Sequence, residues 1–571
     1  MEGVRTPRTV PHHRPTSGRL LRNLPGTHSL LWLPGCGVCN LGFPDRSRSR
    51  LLQIFRRRTI QRSTRRRKVK VAFVAPPVPA VPLSQMQRLY YFYLFASRAF
   101  TVFRHLTEQD FYRFWMLEPV HLGLLQLISY LEQYDIECSF FGPISPEGEN
   151  IDREAVLLRK ILDRADEFDA IGFSSITASY KTAARMAERI RQEHPDIPLI
   201  LGGNHAWVRY EEVLRESVFD ILVHKEGEQT TLELLWAIER KTPLHDIAGI
   251  SFIQNGRIVK TPDRPRIDRS QLPLIGYEHI EDNFTKKELG GNDRLSIPIS
   301  RVTPLTGCTN DCVWCADFWK PKVTGQSQKH FREEITYLME RRNSRFFYLG
   351  THDFLHRLDH AMQIAEKIGS LKPEMHWEAQ TRANPAATRE HFRKLRQADC
   401  RCLHVGVESA NQELLRIMGK NIRIPEVMRM LEYAREEGIE THTYWLIGSP
   451  LETYKTARQT IETMCNWLRS GLSSTAEINM LVGYPGTRFY ENRQRYDITW
   501  VDPDYSNYDG RNQPTFETTH LTKRDFEYLF HRAMDEYCSV LADTIGSKEQ
   551  VTEKLGDRFP NFDPAFMEAA F

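Results

Sequence analysis

Three thiols, Cys308, Cys312 and Cys315, fall within eight residues of the stretch PLTGCTNDCVWCADFW, with Trp314 between the last two. That spacing puts three sulfur ligands on one tight loop. A structural zinc site takes four protein ligands, usually with a second pair close by. No His or Cys pair stands at ligand spacing here, and His352 is a lone candidate in a Gly-Thr-His-Asp turn. A [4Fe–4S] cubane also has four corners. Held by three thiolates it keeps one iron open, whereas an electron carrier closes that corner. The count of three therefore predicts a cluster whose fourth iron is a reaction site.

The elements around the loop follow from hydrophobic patterning. From Val69 onward, short apolar runs (VKVAFVAPP, IECSFFG, DAIGFSS, IPLILGG, FDILVHKEGE) alternate with amphipathic helices. This is the pattern of a parallel sheet covered on both faces, and five strands predict a flavodoxin-like, Rossmann-type doubly wound domain. A second series (LSIPISRVTPLTGC, RFFYLG, MHWEAQTR, CLHVGVES, THTYWLIGSP, AEINMLVGYPGT) has six strand–helix units. Six units predict a partial (β/α)6 barrel, with its site at the strand C-terminal ends. The overall expectation is α/β, divided as residues 1–68 (basic leader), 69–255 (first domain), 256–294 (linker), 295–490 (barrel) and 491–571 (helical C-terminal region). An aromatic insert, MQRLYYFYLFASRAFTVFRHLTEQDFYRFWMLE, is expected to form a helical pair packing its rings between the domains.

Bulk properties narrow the classes. With 41% hydrophobic and 11% aromatic residues, the 571-residue chain can build large cores. The net charge is +4, but residues 1–68 carry +14, so the remainder carries −10. A nucleic-acid partner would rest on the leader alone. That leader reads as a disordered arm, or as sequence ahead of the true start. SLLWLPGCGVCNLGF is too short and too broken by Gly and Pro for a membrane span or a signal peptide. Cys36 and Cys39 are taken as incidental. Ten cysteines do not make a disulfide scaffold at this length, so a reducing, cytoplasmic setting is expected.

The C-x3-C-x-Φ-C pattern, with Trp314 as the aromatic Φ, resembles the radical SAM superfamily signature. The resemblance implies that S-adenosylmethionine (SAM) chelates the open iron of a [4Fe–4S] cluster held by Cys308, Cys312 and Cys315. Gly350, Thr351, His352 and Asp353, after the second strand, stand where the family places polar groups on the SAM amino end. Arg382 is the candidate for the SAM carboxylate, and Glu408 projects from the end of the fourth strand. LIGSPLET and VGYPGTRFY match later segments of one large subgroup.

The first domain resembles cobalamin (B12)-binding domains through PVHLGLLQLISYL, FDAIGFSSITAS, LILGGNHAW and HKEGEQTTLELL. There the nucleotide tail would thread past the hydroxyls of Ser174, Ser175 and Thr177 and the backbone of Gly202 and Gly203. Glu226 and Gly227 would begin and cap the next helix. One departure matters. The family's Asp-x-His-x-x-Gly is replaced by EPVHLG, with His121 two residues before Gly123, so no protein histidine is expected on the cobalt. Over about residues 69–490 the chain resembles the cobalamin-dependent radical SAM methyltransferases. The family implies transfer of a methyl group from SAM via methylcobalamin to an unactivated carbon of a small molecule. C2 of tryptophan, as in antibiotic biosynthesis, is the suggested acceptor. It also implies an electron donor such as ferredoxin or flavodoxin, no nucleic acid and no membrane. The alternatives are a non-methylating B12-binding radical SAM oxidoreductase or cyclase, a P-methyltransferase, a sensor or redox binding module, and an RNA-modifying enzyme. No residue is singled out as catalytic.

Overall fold

A computed structural model describes residues 68–79, 83–104, 121–142, 152–281, 297, 299–316, 323–371 and 375–559. Residues 1–67 of the leader, 105–118 of the aromatic insert and 282–294 of the linker lie outside the described residues.

The first sheet has seven strands: β1 (Lys70–Val74), β2 (Glu137–Phe141), β3 (Ala170–Ser174), β4 (Leu199–Gly202), β5 (Ile221–Val223), β6 (Ile250–Gln254) and β7 (Arg257–Lys260). Their order is β2-β1-β3-β4-β5-β6-β7. The first five are parallel, with Val71 opposite Cys138 on one side and Ala170 on the other. This is the 2-1-3-4-5 order of a flavodoxin-like sheet. Val71, Ala72, Ile171, Leu199 and Leu201 are fully buried, as strands covered on both faces require. Two features depart from the sequence reading. β6 and β7 form an antiparallel hairpin on β5, so the sheet has seven strands instead of five. Residues 257–260, assigned to the linker, are the outer strand of that sheet. Their pairing with β6 satisfies backbone groups that a linker would leave to water.

The second sheet contains β8 (Ile299–Val302), β11 (Phe346–Leu349), β12 (His376–Thr381), β13 (Cys400–Glu408), β14 (Glu440–Ile447) and β15 (Thr475–Met480). A short antiparallel pair, β9 (Leu305–Thr306) and β10 (Thr324–Gly325), closes the base of the cysteine loop. The six main strands are all parallel and lie in strict chain order, from β8 at one edge to β15 at the other. That is the partial barrel predicted from six units.

Only the first half of the expected helical pair falls within the described residues. Its described part is one helix, Gln85–Phe100, started by a Ser84/Gln87 capping box. It lies on the open edge of the barrel: the Ile478 N–H of β15 donates to the Tyr90 hydroxyl at 3.1 Å. Tyr90 also meets Tyr537 of the long helix Lys523–Ile545, ring centroids 4.9 Å apart. A sheet edge carries unpaired backbone groups, and an aromatic helix with a hydroxyl covers this one. The C-terminal region is not purely helical either. β16 (Ile498–Val501) and β17 (Phe516–Thr518) pair antiparallel there.

Candidate functional site

The cysteine loop leaves β8 and is tied to the ends of the neighbouring strands. Gly307 N–H donates to His352 Nδ1 (3.2 Å), and Thr309 meets His356 Nε2 (3.2 Å), both after β11. Arg382, after β12, places a guanidinium N–H on Cys312 Sγ at 3.2 Å. The Cys312 thiol faces Gly419 O (3.8 Å), Val313 N–H donates to Met418 O, and Phe489 N–H donates to Val313 O. Residues from β8, β11, β12, β13 and β15 thus meet at one rim.

The donor set suits an iron–sulfur cluster. None of the three cysteines is in a disulfide, and Cys308 is buried and the other two half-buried. Cys308 Sγ receives the backbone and side-chain N–H groups of Asn310, both at 3.4 Å. N–H donors aimed at sulfur stabilise thiolate charge and tune such clusters. Trp314 is half-buried beside the loop, with Lys420 Nζ 5.9 Å from its ring centre.

The other barrel candidates are engaged in distinct ways. Thr351 donates to Gln380 O (3.1 Å). Asp353 is buried and accepts from Thr381 Oγ1 and Arg382 N, both at 3.1 Å. Burial raises its carboxyl pKa, opposed by those donors and the Arg382 charge. Asp353 thus sets the backbone that aims Arg382 at the cysteines. Glu408 sits at a register shift in β13 with φ of 71°, a conformation uncommon for a residue with a side chain. The shift turns its carboxylate to Lys420, 2.6 Å away, so its charge is already matched.

Below the rim, the face of the sheet that carries Tyr348, Glu378, Gln380, His404, His442, Tyr444, Glu477 and Asn479 is polar. Glu378 takes two hydrogen bonds from Arg98 (3.2 and 2.9 Å) and meets His404 Nε2 at 2.9 Å, while His404 Nδ1 meets the Tyr444 hydroxyl at 3.1 Å. Burial alone would raise Glu378, but Arg98 and His404 outweigh it and hold the pKa at about 2. Glu378, Cys402 and His404 lie close enough together to hold a metal ion, yet Arg98 already occupies both oxygens, so the cluster is an ion-paired one. Arg98 comes from the insert helix. The sequence reading missed this polar face. Its signal was period-2 polarity: His376, Glu378 and Gln380 in β12, His442 and Tyr444 in β14, Glu477 and Asn479 in β15.

At the strand ends of the first domain, Ser174 Oγ lies 3.2 Å from His121 Nε2, and His121 Nδ1 accepts the Leu124 N–H at 3.3 Å. Both ring nitrogens are thus engaged, and burial lowers the His121 pKa. Ser175 Oγ is buried with no hydrogen-bond partner among the described residues, and an orphan buried hydroxyl is what a bound polar ligand would satisfy. Thr177 Oγ1 lies 3.4 Å from His205 Nδ1. Gly202 closes β4. Gly203 has φ of 95°, and a Cβ there would fall 2.2 Å from Ser175 O, so only glycine lets the two loops approach. These features fit a threaded cofactor tail. Glu226 departs from the sequence reading: it accepts from Arg266 Nε (3.2 Å) and Ile267 N (2.9 Å). The helix Glu228–Arg240 starts at Gly227 with no side-chain cap.

The radical SAM superfamily pattern matches residues 302–464, and the B12 binding domain pattern matches residues 117–235. An uncharacterised methyltransferase of Pyrococcus horikoshii is 24% identical over 385 residues, 66% of this chain and 80% of that protein. An anaerobic magnesium-protoporphyrin IX monomethyl ester cyclase of Rubrivivax gelatinosus is 26% identical over 315 residues, 52% of this chain and 56% of the cyclase. Among solved structures, the methyltransferase TsrM from Kitasatospora setae, with tryptophan and a SAM analogue bound, aligns at TM-score 0.54 and 14% identity. It covers 82% of this chain and 88% of TsrM. OxsB, with aqua-cobalamin and SAM bound, aligns at TM-score 0.58 and 13% identity over 81% of this chain and 66% of OxsB. At these identities the structural likeness speaks for the fold. The cofactors are those of the two matched domains: a [4Fe–4S] cluster, SAM and cobalamin. A three-cysteine loop at the barrel rim and a flavodoxin-like sheet ahead of it are thus matched in one chain by a radical SAM domain and a B12 binding domain.

Proposed function

We propose that the protein moves the methyl group of SAM, by way of cobalamin, to a carbon of a small-molecule acceptor. The observation that carries this reading is the rim of the barrel. Three cysteines outside any disulfide share one loop, and Arg382 reaches that loop from the next strand but one, 3.2 Å from Cys312 Sγ. In this reading Cys308, Cys312 and Cys315 hold the cluster, and the Arg382 fork takes the SAM carboxylate. Gly350, Thr351, His352 and Asp353 shape the turn beside it. Ser174, Ser175, Thr177, Gly202 and Gly203 receive the cobalamin tail, and no histidine of the chain serves the cobalt. When bound, cobalamin supplies a methyl carrier, and the cluster supplies electrons and a chelating iron. The chain's own residues position SAM, neutralise charge at the sulfurs and keep the polar lumen ordered.

The acceptor proposed for the first trial is tryptophan, at C2, on the strength of the fold shared with TsrM. The reading includes a small ferredoxin- or flavodoxin-type reductant and a cytoplasmic location. No helix of the described residues is long and apolar enough to cross a membrane. The test is anaerobic reconstitution with iron, sulfide and hydroxocobalamin, then turnover with methyl-labelled SAM. About four irons per chain, one cobalt and label in product support the reading, and iron without cobalt overturns it. A second reading, ring closure without methylation, is favoured by the cyclase relative. It predicts oxidised product carrying no label.

A further inference from the structure

Arg301 occupies an unusual position on the lumen face. It lies directly across from Tyr348 in the β8–β11 register, and Tyr348 lies across from Glu378. The three therefore share the polar face. The guanidinium carbon stands 5.2 Å from the Tyr348 ring centre, which holds the fork beside the ring and leaves its N–H groups to other acceptors. Arg301 is exposed, and among the described residues no hydrogen bond or ion pair reaches it. The carboxylates that could have matched it are committed elsewhere. Glu378 is held by Arg98 and His404, and Glu477 faces His442 and Arg511, each at 3.7 Å. A second observation concerns Gly350. A Cβ at that position would fall 2.7 Å from Arg301 Nε, so the glycine after β11 makes room for this guanidinium. A permanently charged planar fork, set over a ring, uncompensated among the described residues and given space at the end of β8, is built for a bidentate oxyanion.

We propose that Arg301 is the anion anchor of the barrel, taking a carboxylate or phosphonate group of the methyl acceptor. This deepens the methyltransferase reading, since it makes the acceptor an anion. The same chemistry is present in the SAM carboxylate, so the test separates the two sources.

The reconstituted holoenzyme is treated with phenylglyoxal, and modification of the Arg301 peptide is followed by mass spectrometry. The probes are indole-3-propionate and ethylphosphonate, with indole-3-propionamide and ethanol as neutral counterparts, each with and without saturating SAM. The proposal expects either anion to slow modification about tenfold with SAM already bound, the neutral molecules having no effect. It also expects Arg301→Gln to keep iron, cobalt and SAM affinity while losing anion binding, and Arg301→Lys to recover part of it. Full protection by SAM alone, or a tenfold weaker SAM Kd in Arg301→Gln, would assign the fork to SAM and overturn the proposal. So would equal rates with and without every probe. Protection is read without turnover, so absence of methyl transfer in the wild type would count against the methyltransferase reading alone.

Discussion

Arg382 shows how little of a residue's role lies in its own type. Its fork is aimed by Asp353, which accepts the Arg382 and Thr381 donors at 3.1 Å. Arg382→Gln is therefore expected to weaken SAM binding about tenfold, as for loss of one charge-assisted pair, while iron content stays normal. Equilibrium dialysis with labelled SAM beside iron analysis checks it. Glu452 offers a pH-dependent case. Burial raises its carboxyl pKa to about 8, although the Gly448 and Ser449 N–H groups pull it down. The folded protein thus holds a proton that the unfolded chain releases near the ordinary value of 4.5. Its contribution to stability is complete below that value and fades as pH rises through 8. Glu452→Gln, neutral at every pH, should match the wild-type Tm at pH 4 and exceed it at pH 9. An equal Tm difference at both pH values would reject this account.

Among the elements, the helix Gln85–Phe100 has the largest effect for its length. It caps the β15 edge through Tyr90 and delivers Arg98 to Glu378 inside the barrel. Removing the cation strands a buried carboxylate, so Arg98→Met should cost about 3 to 5 kcal/mol. Urea unfolding measures that loss. The same loss should shrink when Glu378→Gln is added, because the two groups form one unit. Tyr90→Phe leaves the Ile478 N–H without its partner, a loss of about 1 to 3 kcal/mol.

At the scale of the molecule, the proposed cluster and cobalamin sites stand on separate sheets. Alanine at Cys308, Cys312 and Cys315 together should abolish iron binding and leave cobalt uptake intact, as read by metal analysis. Loss of cobalt as well would show the two sites to be one folding unit. Three buried histidines weaken the fold in acid. Burial lowers His205 to about 3 and His224 and His442 to about 4, helped by Arg209 for the first and Lys260 for the second, while the Glu477 hydrogen bond opposes it for His442. Their folded pKa values lie below the ordinary 6.5, so the unfolded chain binds more protons as pH falls from that value. The Tm should therefore drop between pH 6.5 and 4, and His442→Gln should flatten the drop.

The α/β alternation, the two sheets and the cysteine loop are local patterns, and so were legible in the chain. Apolar runs of four to nine residues with helical spacing between them leave few other folds. Three thiols at fixed spacing announce a metal wherever the loop goes. What the tertiary structure decided are contacts between residues far apart in sequence. Arg98 and Glu378 are 280 positions apart, and Arg382 and Cys312 are 70. The β7 strand looked like a linker because an edge strand needs apolar residues on few positions. The insert read as a helical pair between the domains because its aromatic rings do not state which edge they cover. The free fork of Arg301 is visible only once every nearby carboxylate is seen to be taken, and pairing is a property of the assembled barrel.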